Sequence, residues 1–390
     1  MIVSTTIPAG FRAAGVEAGQ RAGKGADLAL VVNDGPAIAA AAVFTSNRFQ
    51  AAPVQWSRRV MASGATPRAV VLNSGGANAC TGRIGMAQAS TTAVAAAKAL
   101  DLLPEQVLLG STGLIGRPLA LDKLLDGVDD AVTKLDASGW ADAARAIMTT
   151  DTHPKTAAYQ GDGWSVAGMA KGAGMIAPGM ATLLVLVTTD AVTDNATAQR
   201  LLADAAEITF NRIDVDGCMS TNDTLILMAS GASAITPDEG ELAGALTSVC
   251  QSLALQCIGD AEGASHEIAI TVQGATSQAA ALAVARAIGR SNLFKCAVYG
   301  DDPNWGRILS AAGTVPDDVA PFYPNRVDVA INGVVVCRDG APGDPRELVD
   351  MASHRHVDVV VDLHAGVQQA TIQTNDLTYD YVKENAEYST

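Results

Sequence analysis

A glycine-rich segment that ends in a threonine is the stretch of sequence with the clearest potential for chemistry. It covers residues 171–182 and leads directly into the apolar residues 183–187. In a strained loop, the Thr182 hydroxyl could attack the preceding carbonyl, and hydrolysis of the resulting ester would expose a threonine α-amine. Because a free α-amine has a pKa of about 7.7 to 8.0, it can act as the base for the hydroxyl of its own residue. The segment therefore allows a self-activating nucleophile, although an isolated loop of this composition is more often a tight turn.

Two other polar turns follow predicted strands and could line a reaction centre. Residues 110–116 supply backbone N–H groups and a hydroxyl that could face a developing oxyanion. Residues 73–80 place Asn and Gly where turns commonly use them. Taken alone, residues 110–116 are only a turn, whereas for residues 73–80 an ordinary turn and a site-lining role are about equally supported.

Several common kinds of active site are not supported by the sequence. A dinucleotide-binding loop would need a third glycine where Ala177 stands, and no GxSxG nucleophile elbow occurs. The five histidines form no HExxH motif, and the six cysteines are scattered without a CxxC pair. The carboxylates within residues 214–223 lack the ligand pattern of a calcium loop. The sequence therefore predicts no metal site and no bound cofactor.

Charge and composition narrow the class of protein. The 26 Lys and Arg residues are outnumbered by 41 Asp and Glu residues, and the net charge of −15 repels nucleic-acid phosphates and anionic lipids. No apolar run reaches the ~20 residues of a membrane helix, and the N-terminus lacks the basic and apolar regions of a secretory signal. We expect a cytoplasmic globular protein that binds neither nucleic acid nor membrane.

The elements that must position these loops follow an α/β pattern. Short runs rich in β-branched residues alternate with longer Ala-rich segments, and 390 residues suffice for two or three domains. The predicted strands are residues 28–32, 41–44, 69–72, 107–109, 164–169, 183–187, 224–228, 267–272, 327–331, 334–337, 357–363 and 370–373. The predicted helices are residues 84–100, 119–135, 140–148, 196–210, 239–257 and 279–288.

Several separated motifs, in this order, resemble the ornithine acetyltransferase family, whose members are also called glutamate N-acetyltransferases of arginine biosynthesis. The resemblance spans almost the whole chain. The motifs are MTTD at 148–151, MAKGAGM at 169–175, MATLL at 180–184, STND at 220–223, DPNWGR at 302–307 and YST at 388–390. A set of motifs in one order is far more specific than any single loop.

The resemblance implies a fold and a covalent processing step. The fold would be a two-domain α/β architecture with sheets layered between helices, the ornithine acetyltransferase/DmpA-like fold. The precursor would cut itself between Ala181 and Thr182. This would give an α chain of residues 1–181 and a β chain of residues 182–390, assembled as a heterotetramer of two α and two β chains.

The resemblance also implies roles for individual residues. Thr182 would be the acetylated nucleophile, and the Thr112 side chain with the Gly113 N–H group would form the oxyanion hole. The substrate-binding residues would be Thr150, Lys171, Thr182, Glu262, Asn385 and Thr390. Thr149 is an alternative to Thr150 because the two are adjacent. A lysine cation suits an α-carboxylate, and a glutamate anion suits an amino group.

The implied reaction is a ping-pong transfer of acetyl from N-acetylornithine to glutamate through acetyl-Thr182. Whether acetyl-CoA is also a donor is left open by the sequence. One alternative is an N-terminal-nucleophile amidase or aminopeptidase that passes the acyl group to water. A second alternative is a non-catalytic amino-acid-binding protein that uses Lys171 and Glu262.

Overall fold

A computed structural model describes residues 7–21, 23, 25–177 and 183–387 of the chain. These residues form two compact units. Unit 1 extends to Asn211 and also includes Cys218–Asp260. Unit 2 consists of Arg212–Gly217 and the described residues from Ala261 onward.

Unit 1 contains two β-sheets and six helices among the described residues. The four-stranded sheet has the order β1-β2-β4-β5, and the five-stranded sheet has the order β3-β9-β8-β7-β6. The strands are β1 Phe11–Val16, β2 Leu28–Asn33, β3 Ala39–Phe44, β4 Ala69–Asn73, β5 Val107–Ser111, β6 Lys155–Gln160, β7 Ser165–Lys171, β8 Leu184–Thr189 and β9 Thr224–Ala229. The helices are α1 Ala52–Ala62, α2 Gly82–Ala99, α3 Leu121–Thr133, α4 Trp140–Ala146, α5 Asn195–Ile208 and α6 Glu239–Gly259.

The two sheets of unit 1 face each other across one hydrophobic core. Leu30 and Leu108 of the four-stranded sheet share this core with Met169 and Leu186 of the five-stranded sheet. Helices α2 and α3 pack on the first sheet, and α5 and α6 pack on the second. Since strands covered on both faces have little contact with water, β2, β4, β5, β8 and β9 are buried along their whole length.

The strand pairing brings several strand ends to one edge of unit 1. Strands β8 and β9 are parallel, with Leu184 opposite Thr224, and β7 is antiparallel to β8, with Lys171 opposite Leu184. The end of β7 and the starts of β8 and β9 therefore lie side by side. Gly168 lets α6 approach β7 closely, because a Cβ there would lie 2.8 Å from a Leu253 methyl carbon.

Helix α1 fixes the neighbouring strand β5, which leads into residues 110–116. The Trp56 Nε1–H group donates to the Val107 carbonyl at 2.9 Å, and the Ser57 hydroxyl donates to the Leu109 carbonyl at 2.8 Å. The end of β5 is thus held by side chains as well as by its pairing with β4.

Helix α6 is the one helix within the described residues that is long and apolar enough to cross a membrane by length and composition. Of its most apolar window, 56% is buried inside the protein, where the helix packs against α5, β6 and β7. Contacts of this kind are those of a core helix in a globular fold.

Unit 2 is built on one six-stranded sheet with the order β13-β12-β11-β14-β10-β15. Its strands are β10 Glu267–Ala275, β11 Asp328–Ile331, β12 Val334–Arg338, β13 Ala341–Pro342, β14 His356–Asp362 and β15 Gln368–Asn375. Its helices are α7 Gln278–Gly289, α8 Asn292–Tyr299, α9 Trp305–Ala312 and α10 Tyr379–Glu387. Buried valines alternate with exposed or half-buried residues along β14, and α7 packs against β10 and β15.

The predicted α/β class with two domains and layered sheets is confirmed. Most predicted elements match the observed ones closely, as with the strand predicted at 28–32 and found at Leu28–Asn33. The predicted junction of α and β chains lies between β7 and β8 of a single sheet. A cut there would divide the covalent chain without following the boundary between the compact units.

Candidate active site

Three of the predicted site residues lie outside the described residues: Ala181, Thr182 and Thr390. The described chain resumes at Leu183, one residue after the predicted nucleophile and one residue before β8. Leu183 is therefore the described residue of the predicted β chain that lies nearest in sequence to the predicted nucleophile, and its contacts locate the start of that chain in unit 1.

Thr112 directly follows β5 and is held at the edge of the four-stranded sheet. Its backbone N–H group donates to the carbonyl of Asn73, the last residue of the parallel strand β4, at 2.9 Å. An isolated bridge to Gly76 holds Thr112 from the other side. With 2% of its surface exposed, Thr112 is fixed by backbone contacts before any substrate binds.

Gly113 has a backbone that only glycine adopts readily. Its φ angle is +122°, and a Cβ at this position would lie 2.6 Å from the carbonyl carbon of Gly75. Both the positive φ and the close approach of residues 75–76 exclude a larger residue. The N–H group of Gly113 is therefore set by two adjacent turns, residues 73–80 and 110–116.

Lys171 brings a buried cation to the predicted oxyanion hole. It is the last residue of β7 and is 2% exposed. Its Nζ atom donates to the Thr112 Oγ1 atom at 3.2 Å. Because a hydroxyl can accept one hydrogen bond while it donates another, this contact leaves the Thr112 O–H group able to donate to a reacting oxygen.

Asn222 ties these strand ends together. Its side-chain amide donates to the carbonyls of Ala77 and Ser111 at 2.6 and 2.8 Å. One asparagine just before β9 thus holds both the turn that contains Thr112 and the adjacent turn at residues 73–80. The STND motif at 220–223 acquires a structural role here that the sequence did not reveal.

Behind Lys171 lies a buried ion network that sequence reasoning missed. Lys155 is fully buried, and its Nζ atom lies 2.5 Å from Asp151 Oδ1 and 2.6 Å from Asp260 Oδ2. Burial alone would raise the pKa of Asp151, but the cations of Lys171 and Lys155 outweigh it and lower this pKa to about 2. The same carboxylates outweigh burial at Lys155 and raise its pKa.

Asp151 connects this network to two predicted site segments. Its carboxylate accepts a hydrogen bond from the Thr149 N–H group at 2.9 Å and another from the Gly172 N–H group at 2.7 Å. The first segment carries the predicted binding residue Thr150, which is half-buried, and the second begins the glycine-rich segment. A single buried carboxylate therefore fixes the Thr149–Thr150 pair relative to residues 171–172.

The two predicted binding residues of unit 2 contact each other. The Asn385 side-chain amide of α10 donates to Glu262 Oε2 at 3.1 Å. Glu262 also lines a cavity of about 80 Å³ together with Lys295, Asp376 and Tyr381. These groups offer one cation and several carboxylates to a small polar ligand.

No group of three or more His, Cys, Asp or Glu side chains within the described residues could hold a metal ion.

Unit 1 also contains a cavity of about 650 Å³, whose lining residues include Arg48, Phe49 and Arg83. None of the predicted site residues that the structure describes lines it.

Comparisons with a protein-family profile and with full-length relatives point to the same family. The profile of the ArgJ family matches residues 12–390. The chain is 55% identical over 388 residues to the arginine biosynthesis bifunctional protein ArgJ of Thermobifida fusca, with 100% of both chains covered. It is 56% identical over 391 residues to the protein of the same name from Bifidobacterium longum, with 99% of this chain and 100% of the relative covered.

A solved structure of ornithine acetyltransferase from Mycobacterium tuberculosis, complexed with ornithine, is also similar. It is 50% identical, and the match covers 46% of this chain and 95% of that chain with a TM-score of 0.43.

Proposed function

The chain belongs to the ArgJ family, and on this premise we propose that it is an acetyltransferase that moves the acetyl group of N-acetylornithine to glutamate. The names of its full-length relatives place them in arginine biosynthesis, and one similar protein was solved with ornithine bound. The structural observation that carries the proposal is the 3.2 Å contact between Lys171 Nζ and Thr112 Oγ1 beside the start of β8. This contact joins the Lys171 cation, which can bind an anionic group of the substrate, to the Thr112 hydroxyl, which can donate a hydrogen bond to an oxyanion.

The proposal begins with self-cleavage between Ala181 and Thr182. The Thr182 hydroxyl attacks the Ala181 carbonyl, and water then hydrolyses the resulting ester. Six residue pairs join β7 to β8, so the α and β chains would remain hydrogen-bonded within one sheet after the cut. The freed α-amine of Thr182 then serves as the base for acetyl transfer.

In the transfer itself, the Thr182 hydroxyl attacks the acetyl carbonyl of N-acetylornithine, and ornithine leaves. The Thr112 hydroxyl and the Gly113 N–H group donate to the tetrahedral oxyanion. A single donor of this kind is worth roughly 2.7 to 4 kcal/mol of barrier. Glutamate then takes the acetyl group from Thr182 in the second half of the ping-pong reaction.

Substrate recognition is assigned to Thr150, Lys171, Thr182, Glu262, Asn385 and Thr390. Lys171 would pair with the substrate α-carboxylate, and Glu262 with an amino group. The designation of the relatives as bifunctional supports acetyl-CoA as a further acetyl donor. We extend the proposal to a heterotetramer of two α and two β chains in the cytoplasm, where the six cysteines of this chain would stay reduced.

The decisive experiment is an intact-mass measurement on the wild type and on Thr182→Ala. The variant should remain a single chain of 390 residues and lose acetyl transfer, because one hydroxyl serves both steps. Thr182→Ser, which keeps a hydroxyl, is the control and should still be cut. With N-acetylornithine alone, the wild-type β chain should gain about 42 Da, the mass of an acetyl group in place of a proton.

A Thr182→Ala protein that is cut and active would overturn the proposal. Release of free acetate at the same rate with and without glutamate would instead indicate a hydrolase.

A further inference from the structure

The cavity of about 650 Å³ in unit 1 has no role in the proposed reaction. Its walls come from the loop between β3 and α1, the loop between β4 and α2, and the beginning of each of these helices. Small-molecule sites typically have volumes of about 300 to 1,000 Å³. The cavity is therefore large enough for an organic ligand rather than a single small ion.

Backbone hydrogen bonds fix both loops that form the cavity. The Ala51 N–H group donates to the Thr221 carbonyl at 2.9 Å. The Ala52 N–H group donates to the carbonyl of Asn78, in the second loop, at 3.1 Å. The Asn222 amide holds this second loop as well, through the carbonyl at position 77. The walls are thus set by the fold before any ligand binds.

Two arginines give the cavity a positive charge. Arg48 and Arg83 both line it, and both are exposed. Neither guanidinium group forms an ion pair or a hydrogen bond with another described residue. No acidic residue is among the described residues that line the cavity, although the chain has 41 Asp and Glu residues against 26 Lys and Arg residues. A local positive charge in so acidic a chain favours an anionic ligand.

The start of helix α2 adds backbone donors to the same cavity. This helix has 18 residues and no acidic residue in its first turn. Its N-cap residue Thr81 makes no capping hydrogen bond, because the hydroxyl donates to Asn78 Oδ1 at 2.7 Å instead. The first N–H groups of an α-helix have no partner within the helix, and with the helix dipole they favour binding of phosphate.

Gly82, the first residue of α2, leaves this backbone open to a ligand. It lines the cavity, and a Cβ at this position would have no non-neighbouring described atom within 4 Å. A phosphate group can therefore approach the start of the helix without meeting a side chain at this residue.

Phe49 indicates a ligand that also has a planar group. It lines the cavity with 71% of its surface exposed. A nucleotide base can stack on an exposed aromatic ring, and the planar guanidinium groups of arginine bind phosphate through paired N–H donors. One cavity thus combines groups that bind phosphate with a ring that binds a base.

We propose that this cavity binds a nucleoside diphosphate group. Arg48, Arg83 and the first N–H groups of α2 bind the phosphates, and the base stacks on Phe49. Two kinds of molecule carry this group: a free nucleotide and the nucleotide portion of coenzyme A. The inference concerns binding and does not depend on the proposed acetyl transfer, so its failure would leave the proposed function untouched.

Cys80 provides a readout that needs no variant. It is exposed and lines the cavity, whereas Cys296 of α8 is exposed and does not line it. Wild-type protein would be alkylated with iodoacetamide, and peptide mass spectrometry would give the rate at each of these cysteines. ADP at about ten times its Kd, measured by calorimetry, should slow alkylation of Cys80 about tenfold and leave Cys296 unchanged.

Further ligands separate the two sources of the group. Desulpho-coenzyme A, which has no thiol to react with iodoacetamide, should also protect Cys80. Protection by ADP supports a free nucleotide as the ligand, and protection by desulpho-coenzyme A alone supports the coenzyme. Adenosine and inorganic phosphate should each protect poorly. No protection by either nucleotide compound, equal protection by inorganic phosphate, or an equal effect at Cys296 would overturn the inference.

The double variant Arg48→Gln/Arg83→Gln tests the charge directly. Its Kd for ADP should rise at least about tenfold, because charge-assisted hydrogen bonds to phosphate are lost. Arg338→Gln makes the same change at an exposed arginine of β12 and should bind ADP as wild type does. A double variant with the wild-type Kd, or an equal loss in Arg338→Gln, would contradict the proposed site.

Discussion

Lys155 in unit 1 and Lys295 in unit 2 are both almost completely buried, but their charges are balanced differently. Lys155 is held by two buried carboxylates, Asp151 and Asp260, and its pKa is raised. Lys295 donates to the backbone carbonyl of Val215. Burial lowers the pKa of Lys295 despite the nearby carboxylates of Asp216, Asp214 and Asp376.

The difference shows where each unit places its fixed charges. In unit 1, the ion network reaches the Thr149 and Gly172 N–H groups and includes Lys171, so it immobilises segments predicted to react. In unit 2, the predicted binding residue Asn385 is exposed and its partner Glu262 is half-buried. Buried ion pairs therefore hold the predicted site segments of unit 1, whereas the predicted binding residues Glu262 and Asn385 of unit 2 are more exposed to solvent.

Among substitutions that distinguish unit 1 from unit 2, Lys155→Met should cause the largest loss in the free energy of unfolding. This change leaves Asp151 and Asp260 buried without their shared cation, and loss of one partner from a buried ion pair costs about 3 to 5 kcal/mol. The free energy of unfolding in urea would be compared with that of wild type, in samples whose cleavage state has been matched by intact mass.

The control is Lys134→Met, which removes an exposed ion pair with Asp130 on α3. Pairs of this kind contribute about 0.3 to 0.5 kcal/mol. If Lys155→Met were no more destabilising than this control, the network could not be what fixes the loops of unit 1.

A smaller effect on the free energy of unfolding is expected for Lys295→Met, since within the described part of the chain the change removes one hydrogen bond to a carbonyl and no ion pair with a buried carboxylate. We expect the free energy of unfolding to fall by about 1 kcal/mol at neutral pH.

The pH dependence of the free energy of unfolding distinguishes Lys295 from Lys155 more sharply. Because the pKa of Lys295 is lowered in the folded protein, the unfolded chain binds more protons between that value and 10.5. The free energy of unfolding should therefore rise with pH across this window in wild type.

In Lys295→Met this rise should be reduced, and urea titrations at about pH 8 and about pH 10 would measure it. The pKa of Lys155 is raised, so its contribution has the opposite sign and is lost only as the pH rises through its folded value. An unchanged pH dependence in Lys295→Met would mean that burial does not govern this lysine.

The sequence predicted the fold best where local pattern and burial agree. The β-branched runs of β8 and β9 and the apolar α6 were found within two residues of their predicted positions. Strands β1 and β6 were missed because each contains two consecutive alanines, which have little intrinsic strand preference, and because strand formation there depends on neighbouring strands. Pairing between distant segments, such as β3 with β9, leaves no local signal.

Contacts between distant segments also limited how much of the site could be predicted from the sequence. Lys171, Thr112 and Gly113 were named from motifs, and the structure brings them together within unit 1. The network of Asp151, Lys155 and Asp260 was missed because Lys155 and Asp260 are 105 residues apart and become partners only when β6 and the end of α6 pack together. Periodicity predicts which face of an element is buried, but it carries no information about which distant carboxylate neutralises a buried cation.

The smallest effect on stability, but a distinct effect on binding, is expected for Glu262→Gln in unit 2. The new amide can still accept from Asn385, so the free energy of unfolding should change by no more than about 0.5 kcal/mol. The variant has no anion for a substrate amino group, and KM for N-acetylornithine or glutamate should rise about tenfold, equivalent to about 1.4 kcal/mol, with kcat nearly unchanged.

Glu384→Gln is the matched control. The pKa of this neighbouring carboxyl group is raised by burial and by Glu262, and the group has no proposed contact with substrate. A KM equal to that of wild type in Glu262→Gln would remove Glu262 from the proposed binding site and, with it, the contrast between buried, ion-paired site segments in unit 1 and a more exposed binding group in unit 2.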